Sequence, residues 1–183
     1  MQKLPRKFYN RETKIVAQEI LGNYLVHRLQ GVERIGKIVE AEAYVGQHDL
    51  ASHASKGCTK RTATMFGPPG YAYVYLIYGI HHCFNVVTEP AGIGAAVLIR
   101  AIEPIANITE RTQGPGLLCK SMMINKAHNG CDLLSENLFI TIAPHYEKPM
   151  HIVEAPRIGV HYAKEWTHKL LRFYVQGNAF VSK

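Results

Sequence analysis

Alternation of apolar and polar positions is clearest in one stretch of this chain, Lys37-Ile-Val-Glu-Ala-Glu-Ala-Tyr-Val-Gly46. β-Branched and aromatic residues recur over a short run that ends in glycine, which predicts a strand. Successive side chains of a strand point to opposite faces. One face then carries Val39, Ala41, Ala43 and Val45, and the other carries Ile38, Glu40, Glu42 and Tyr44. Two carboxylates among apolar neighbours make a poor core face, because a half-buried glutamate costs stability unless it is paired. A conflict of this kind between local pattern and burial marks functional sites. A solvated face of an antiparallel sheet gives the same pattern, so the stretch alone leaves both readings open.

The rest of the chain divides into short elements. Asn10 is placed as the N-cap of a helix with Glu12 in its first turn, running to about Leu21 and stopped by Gly22. Tyr24 to Arg28 reads as a strand, and a turn at Gln30-Gly31 leads into the glutamate strand. Gly46 to Pro69 is loop-like, and a connection of that length is usually functional or mobile. Gly67-Pro-Pro-Gly70 is a rigid turn. Tyr71 to Tyr78 is a strand with Tyr71, Tyr73 and Tyr75 on one face. Gly79 allows a sharp turn and Phe84 to Thr88 returns, a hairpin with Tyr78, Ile80, His81 and His82 near its tip. After a turn at Glu89 to Gly94, Ala95 to Ile102 is an apolar strand interrupted only by Arg100.

Gly114-Pro115-Gly116 opens a helix of about Leu117 to Lys126, which ends near Asn129-Gly130. Leu138 to Ala143 is a strand, Pro156 to Val160 a short extended piece, and Arg172 to Val175 a final strand. Helices and strands do not alternate strictly, which predicts an α+β fold with a mostly antiparallel sheet. There is no internal repeat or linker, hence one domain over residues 1–183.

Composition narrows the partners. The hydrophobic fraction of 47% suffices for a core without metal or disulfide staples. Lys and Arg outnumber Asp and Glu by 21 to 14, and a charge of +7 with many tyrosines favours a polyanionic partner, most often nucleic acid. Cys58, Cys83, Cys119 and Cys131 form no C-x-x-C pair, which argues against a zinc or redox site and for reduced thiols in a cytoplasmic protein. The charged N-terminal stretch lacks the apolar core of a signal peptide. No run approaches the roughly 18 apolar residues of a membrane span, so no membrane partner is expected.

Several residues stand out as chemistry. Arg100, inside an apolar strand, requires an anionic partner. Glu42 is the natural one, with Glu103 or Glu40 as structural alternatives. Tyr44, Tyr75 and His53 fit an aromatic slot for a flat ligand such as a nucleobase, where stacking contributes about 1–3 kcal/mol per base. Taken singly, Tyr71, Tyr73 and Tyr75 are better explained as half-buried sheet residues with wet hydroxyls. Tyr78 at a narrow hairpin tip suits insertion between base pairs, unless it folds back onto the sheet. His48, Asp49 and His53 are metal-ligand types at irregular spacing, so no metal is assigned.

Val39-Glu-Ala-Glu-Ala-Tyr-Val-Gly46, Tyr73-Val-Tyr-Leu-Ile-Tyr-Gly79, Val97-Leu-Ile-Arg-Ala-Ile-Glu-Pro104, Gln113-Gly-Pro-Gly116, Arg157-Ile-Gly-Val160 and Leu171-Arg-Phe-Tyr-Val175 together resemble the alkyladenine (3-methylpurine) DNA glycosylase family. The similarity runs from about Leu4 to Ser182. It implies a single α+β domain with a curved, mostly antiparallel sheet flanked by helices and a protruding DNA-inserting hairpin. It also assigns roles. Glu42 matches the carboxylate that activates the attacking water. Arg100 matches the arginine that helps hold that water, together with a backbone carbonyl at Ile158, where some members have Val. Tyr44, His53 and Tyr75 match the walls of the flipped-base pocket. Asn85 matches a residue at its floor that would clash with the exocyclic amine of guanine. Tyr78 matches the side chain that fills the gap left by the extruded nucleotide.

The implied activity is a monofunctional DNA-3-methyladenine glycosylase of base excision repair, without lyase activity, cofactor or metal. Its partner is double-stranded DNA, with no obligatory protein partner. A monomer suits a protein that scans DNA. The extension that precedes the domain in animal members is absent, which looks bacterial, and the implied location is cytoplasmic and nucleoid-associated. The Gln47 to Phe66 loop and the Asn85 to Arg100 connection depart from the family in sequence or length, which bears on lesion range. Three competitors remain: a non-catalytic nucleic-acid-binding module, a metal-assisted hydrolase built on His48, Asp49 and His53, and a formyltransferase-like domain.

Overall fold

The computed structural model describes residues 1–144 and 151–182. Its centre is an eight-stranded, mostly antiparallel, curled sheet, ordered β3-β4-β5-β2-β1-β6, with β8 pairing β2 and β7 pairing β8. The strands are β1 (Tyr24–Leu29), β2 (Val32–Val45), β3 (Ala72–Ile77), β4 (His81–Thr88), β5 (Ala95–Ala106), β6 (Leu138–Thr141), β7 (Ile152–Pro156) and β8 (Leu170–Val175). Among the described residues three short α-helices accompany them, α1 (Arg6–Tyr9), α2 (Thr13–Glu19) and α3 (Pro115–Ser121). The α+β class and single antiparallel sheet agree with the sequence pattern. Among the described residues, no helix is long and apolar enough to cross a membrane.

β2 organises the sheet. A two-residue turn with positive φ at Gln30 (52°) and Gly31 (77°) folds β1 back onto its first half, the twist that tight hairpins favour. Its second half pairs β5 on one edge and β8 on the other. The ladder between β2 and β5 is irregular where function is expected. It passes from Ile38↔Ile102 to Glu40↔Ala101 to Ala41↔Ile99, so it skips Val39 on one strand and Arg100 on the other. A bulge of this kind re-aims side chains. Strict alternation predicts Ile38 on the glutamate face. The bulge instead lets Ile38, Ala41 and Ala43 share the main core, and Glu40 and Glu42 face away from it.

Two helix boundaries differ from expectation. Asn10 caps the C-terminal end of α1, and α2 begins at Thr13. Its first backbone N–H and its hydroxyl donate to the Glu89 carboxylate, so the cap comes from a distant turn. α3 stops at Ser121, short of Lys126, because Met123 adopts φ 57° and Ile124 N–H donates to the Cys119 carbonyl at 2.8 Å. That left-handed ending returns the buried Ile124 to the core. The stretch after Pro156 turns at Ile158-Gly159 rather than extending to Val160, with Gly159 at φ 78°.

Candidate active site

β2, β3, β4 and β5 bring one face of the sheet against the loop after β2 and the turn after β7, and a pocket opens between them. Tyr44, His53, Tyr75, Asn85, Arg100 and Ile158 all line it. Tyr73 adds a wall that the sequence treats only as a sheet tyrosine, and Met65, Cys83 and Leu98 supply apolar surface. The rings form one aromatic cluster. His53 lies 4.6 Å from Tyr75 and 6.3 Å from Tyr73 between centroids, and Tyr73 lies 5.4 Å from Tyr75. His53 Nδ1 and the Tyr73 hydroxyl are 3.1 Å apart. Asn85 is buried, and its Nδ2 donates to the Tyr73 carbonyl at 3.0 Å.

Glu42 is fully buried behind this pocket. Its carboxylate accepts from the Tyr44 hydroxyl at 2.8 Å on one oxygen and from the Ile158 backbone N–H at 2.8 Å on the other. Arg100 NH1 lies 3.3 Å from that second oxygen. A buried carboxylate requires such donors. Arg100 also donates from Nε to Glu40 at 3.1 Å, so the two partners weighed for it from sequence are both engaged at once. Burial alone would weaken the arginine's charge, but Glu42 and then Glu40 outweigh it and hold the guanidinium above its ordinary value.

The remaining groups are held uncharged or paired. Burial pushes the Tyr44 phenol well above its ordinary value, and the adjacent Glu42 adds to this, which keeps Tyr44 a donor. Burial does the same for Tyr75, aided by Cys83, and raises Tyr73 to about 12. Burial, then the nearby Arg61 charge, lowers His53, which leaves a neutral imidazole at neutral pH. Asp49 does not join His48 and His53 in a ligand set. Both its oxygens accept from the buried Arg157 guanidinium, and it also accepts from Val45 and Ala51 N–H. His48 instead packs edge-on against Trp166 at 5.4 Å.

At the pocket rim the β3–β4 hairpin projects Tyr78 and Ile80, which are 87% and 73% exposed, so the tip does not fold back onto the sheet. Tyr78 and Gly79 take φ of 52° and 74°, a turn that glycine relieves at its second position. Across the pocket mouth Tyr162, also exposed, is tethered through its hydroxyl to the Ala51 carbonyl at 3.1 Å. Only its place in the stretch after Arg157-Ile-Gly-Val160 points to it from sequence.

Comparison with known proteins places the chain among named relatives. A protein of Legionella pneumophila (strain Corby), provisionally named 3-methyladenine DNA glycosylase, is 62% identical over 183 residues, all of both chains. Relatives with the same provisional name occur in Myxococcus xanthus (strain DK1622), at 50% identity over all of this chain and 95% of that one, and in Anaeromyxobacter dehalogenans (strain 2CP-C), at 52% over 99% and 87%. Residues 7–179 match the family described as methylpurine-DNA glycosylase (MPG). With a match of that length, the chain belongs to the methylpurine-DNA glycosylase family.

Proposed function

We propose that this protein is a monofunctional DNA glycosylase that removes alkylated purines, 3-methyladenine above all, from double-stranded DNA by hydrolysing the N-glycosidic bond. The observation that carries this is the buried Glu42 carboxylate, held by Tyr44, Ile158 and Arg100 beside an aromatic pocket. A base within a duplex is out of reach of such a pocket. The nucleotide is flipped out, at a cost of a few kcal/mol. Tyr78 offsets part of that cost by filling the gap in the stack.

An alkylated purine such as 3-methyladenine carries positive charge. Stacked among Tyr44, Tyr75 and neutral His53 it gains a cation–π contribution of about 0.5–2 kcal/mol that normal purines lack. Asn85 at the floor excludes the exocyclic amine of guanine. The cationic base leaves without strong acid help. The sugar becomes oxocarbenium-like, and Glu42 stabilises that charge and takes a proton from the water that attacks C1′. Arg100 and the Ile158 carbonyl hold the water. The products are the free purine and an intact abasic strand.

The deciding experiment is release of 3-methyladenine from methylated duplex DNA, with and without EDTA, alongside duplex binding. Release that survives chelation is the expected result. Binding without release would make the protein a nucleic-acid-binding module, and release lost to chelator would make it metal-assisted.

The pocket's charge state gives a pH prediction. His53 is neutral above the ordinary histidine value of about 6.5 and gains a proton only below it. A cationic lesion is therefore repelled as the pH falls past the lowered His53 value. Affinity for duplex carrying such a lesion, measured on Glu42→Gln so that hydrolysis is silent, is expected to fall between pH 7 and pH 5. His53→Gln in the same background should flatten the dependence. An equal slope in both would take His53 out of contact with the base.

A further inference from the structure

Glu40 accepts four hydrogen bonds, as many as Asp49, and the hydrolysis proposed above makes no use of it. It is fully buried. One oxygen accepts from Arg100 Nε at 3.1 Å, from Arg172 NH1 at 3.1 Å and from the Ser182 hydroxyl at 3.0 Å. The other accepts from the Ser182 backbone N–H at 2.8 Å. Arg172 reaches this face because β8 pairs β2 there, with Phe173 in the core opposite Ala41. Ser182 closes the arrangement, since Arg100 NH2 also lies 3.3 Å from its hydroxyl.

Every nitrogen of the Arg100 guanidinium is thereby assigned. Nε goes to Glu40, NH2 to Ser182, and NH1 alone to Glu42. An arginine left free beside a carboxylate frequently forms a bidentate, parallel pair. That geometry would occupy Glu42 with the arginine instead of with water. The bulge that skips Arg100 in the ladder is what sets its side chain level with both glutamates.

We propose that Glu40, together with Ser182, is a positioning residue that holds Arg100 to a single contact with Glu42 and so keeps the Glu42 carboxylate available to the attacking water. Arg172 balances the second carboxylate, so the two acids and two arginines form a neutral, closed set. The proposal rests on the hydrolytic role of Glu42 given above. Besides Arg100, the charged or titratable groups that face Glu42 are Tyr44 on β2, Tyr75 on β3, Cys83 on β4, and Arg157 and Tyr162 after β7. None of these belongs to the Glu40 set.

The test is single-turnover release of 3-methyladenine across pH by wild type, Glu40→Gln, Arg172→Gln, Ser182→Ala and Glu42→Gln, with duplex affinity and Tm measured for each. Glu40→Gln removes a negative neighbour, so the acid limb of its profile should move to lower pH. Arg172→Gln removes a positive one and should move that limb to higher pH. Misaiming Arg100 should slow the plateau rate by about 10–100-fold in Glu40→Gln, with a smaller loss in Ser182→Ala, and with duplex affinity unchanged in both. If Glu40→Gln does not fold, the Arg172→Gln limb and the Ser182→Ala rate decide alone. Wild-type rates and limbs in the variants that fold, with Glu42→Gln inactive, would overturn the positioning role and leave the hydrolytic reading standing. No release by wild type would overturn the hydrolytic reading itself.

Discussion

Glu42→Gln is expected to slow release of alkylated purines by about 10²–10⁴-fold, the usual contribution of a positioned general base, while duplex binding is retained. The substitution tests chemistry rather than packing. A glutamine has the same shape, and its carbonyl oxygen accepts the Ile158 N–H and the Arg100 contact as the carboxylate does. The amide group then faces the Tyr44 hydroxyl, which can act as acceptor in turn. Arg100 is not orphaned, because it keeps its bond to the Glu40 carboxylate. What is lost is the negative charge that stabilises an oxocarbenium-like sugar and the base that deprotonates water. Release at the wild-type rate by the variant would remove Glu42 from the reaction. Loss of duplex binding together with release would assign it a structural role instead.

Much of this site was legible because strand alternation and a few residue types out of place carry it. Glu40 and Glu42 in a β pattern, Arg100 in an apolar strand and Tyr78 beside Gly79 all break a local rule, and all prove to sit at or beside one pocket. What periodicity cannot express is a register shift. The bulge at Val39 and Arg100 moves Ile38 into the core and sets the arginine between both acids, and no local window encodes it. Tertiary caps are equally silent. The start of α2 depends on Glu89, 76 residues from Thr13, where the sequence offers Asn10 close by. Asp49 is the sharpest case. Local spacing groups it with His48 and His53, but its partner Arg157 lies 108 residues along the chain. Glu40 was legible as an alternative partner for Arg100, and its simultaneous use with Glu42 was not.

Asp49→Ala is expected to destabilise the fold by about 3–5 kcal/mol, the cost of leaving one member of a buried ion pair without the other. For a chain of this size each kcal/mol lowers Tm by about 2–4 °C, so thermal unfolding is a sufficient readout. Both partners are fully buried at their side chains, which removes the solvent screening that makes surface pairs nearly worthless. Arg157 would retain its bond to the Ala43 carbonyl and its place 4.7 Å over the Tyr44 ring. It would lose its only ion-pair partner among the described residues, and its Nε already has no partner there. The damage extends to the site, because Ile158, whose N–H holds Glu42, follows Arg157 directly. Base release should therefore fall with stability, even at temperatures where the variant is folded. The double variant Asp49→Ala/Arg157→Met removes both charges. It should recover much of the lost Tm, since an apolar replacement of a buried pair is often neutral. It should not recover release, because the turn that presents Ile158 has lost its anchor. An Asp49→Ala variant as stable as wild type would mean that Arg157 finds water or another acid. Full activity in the double variant would mean that the Ile158 turn holds itself in place without the pair.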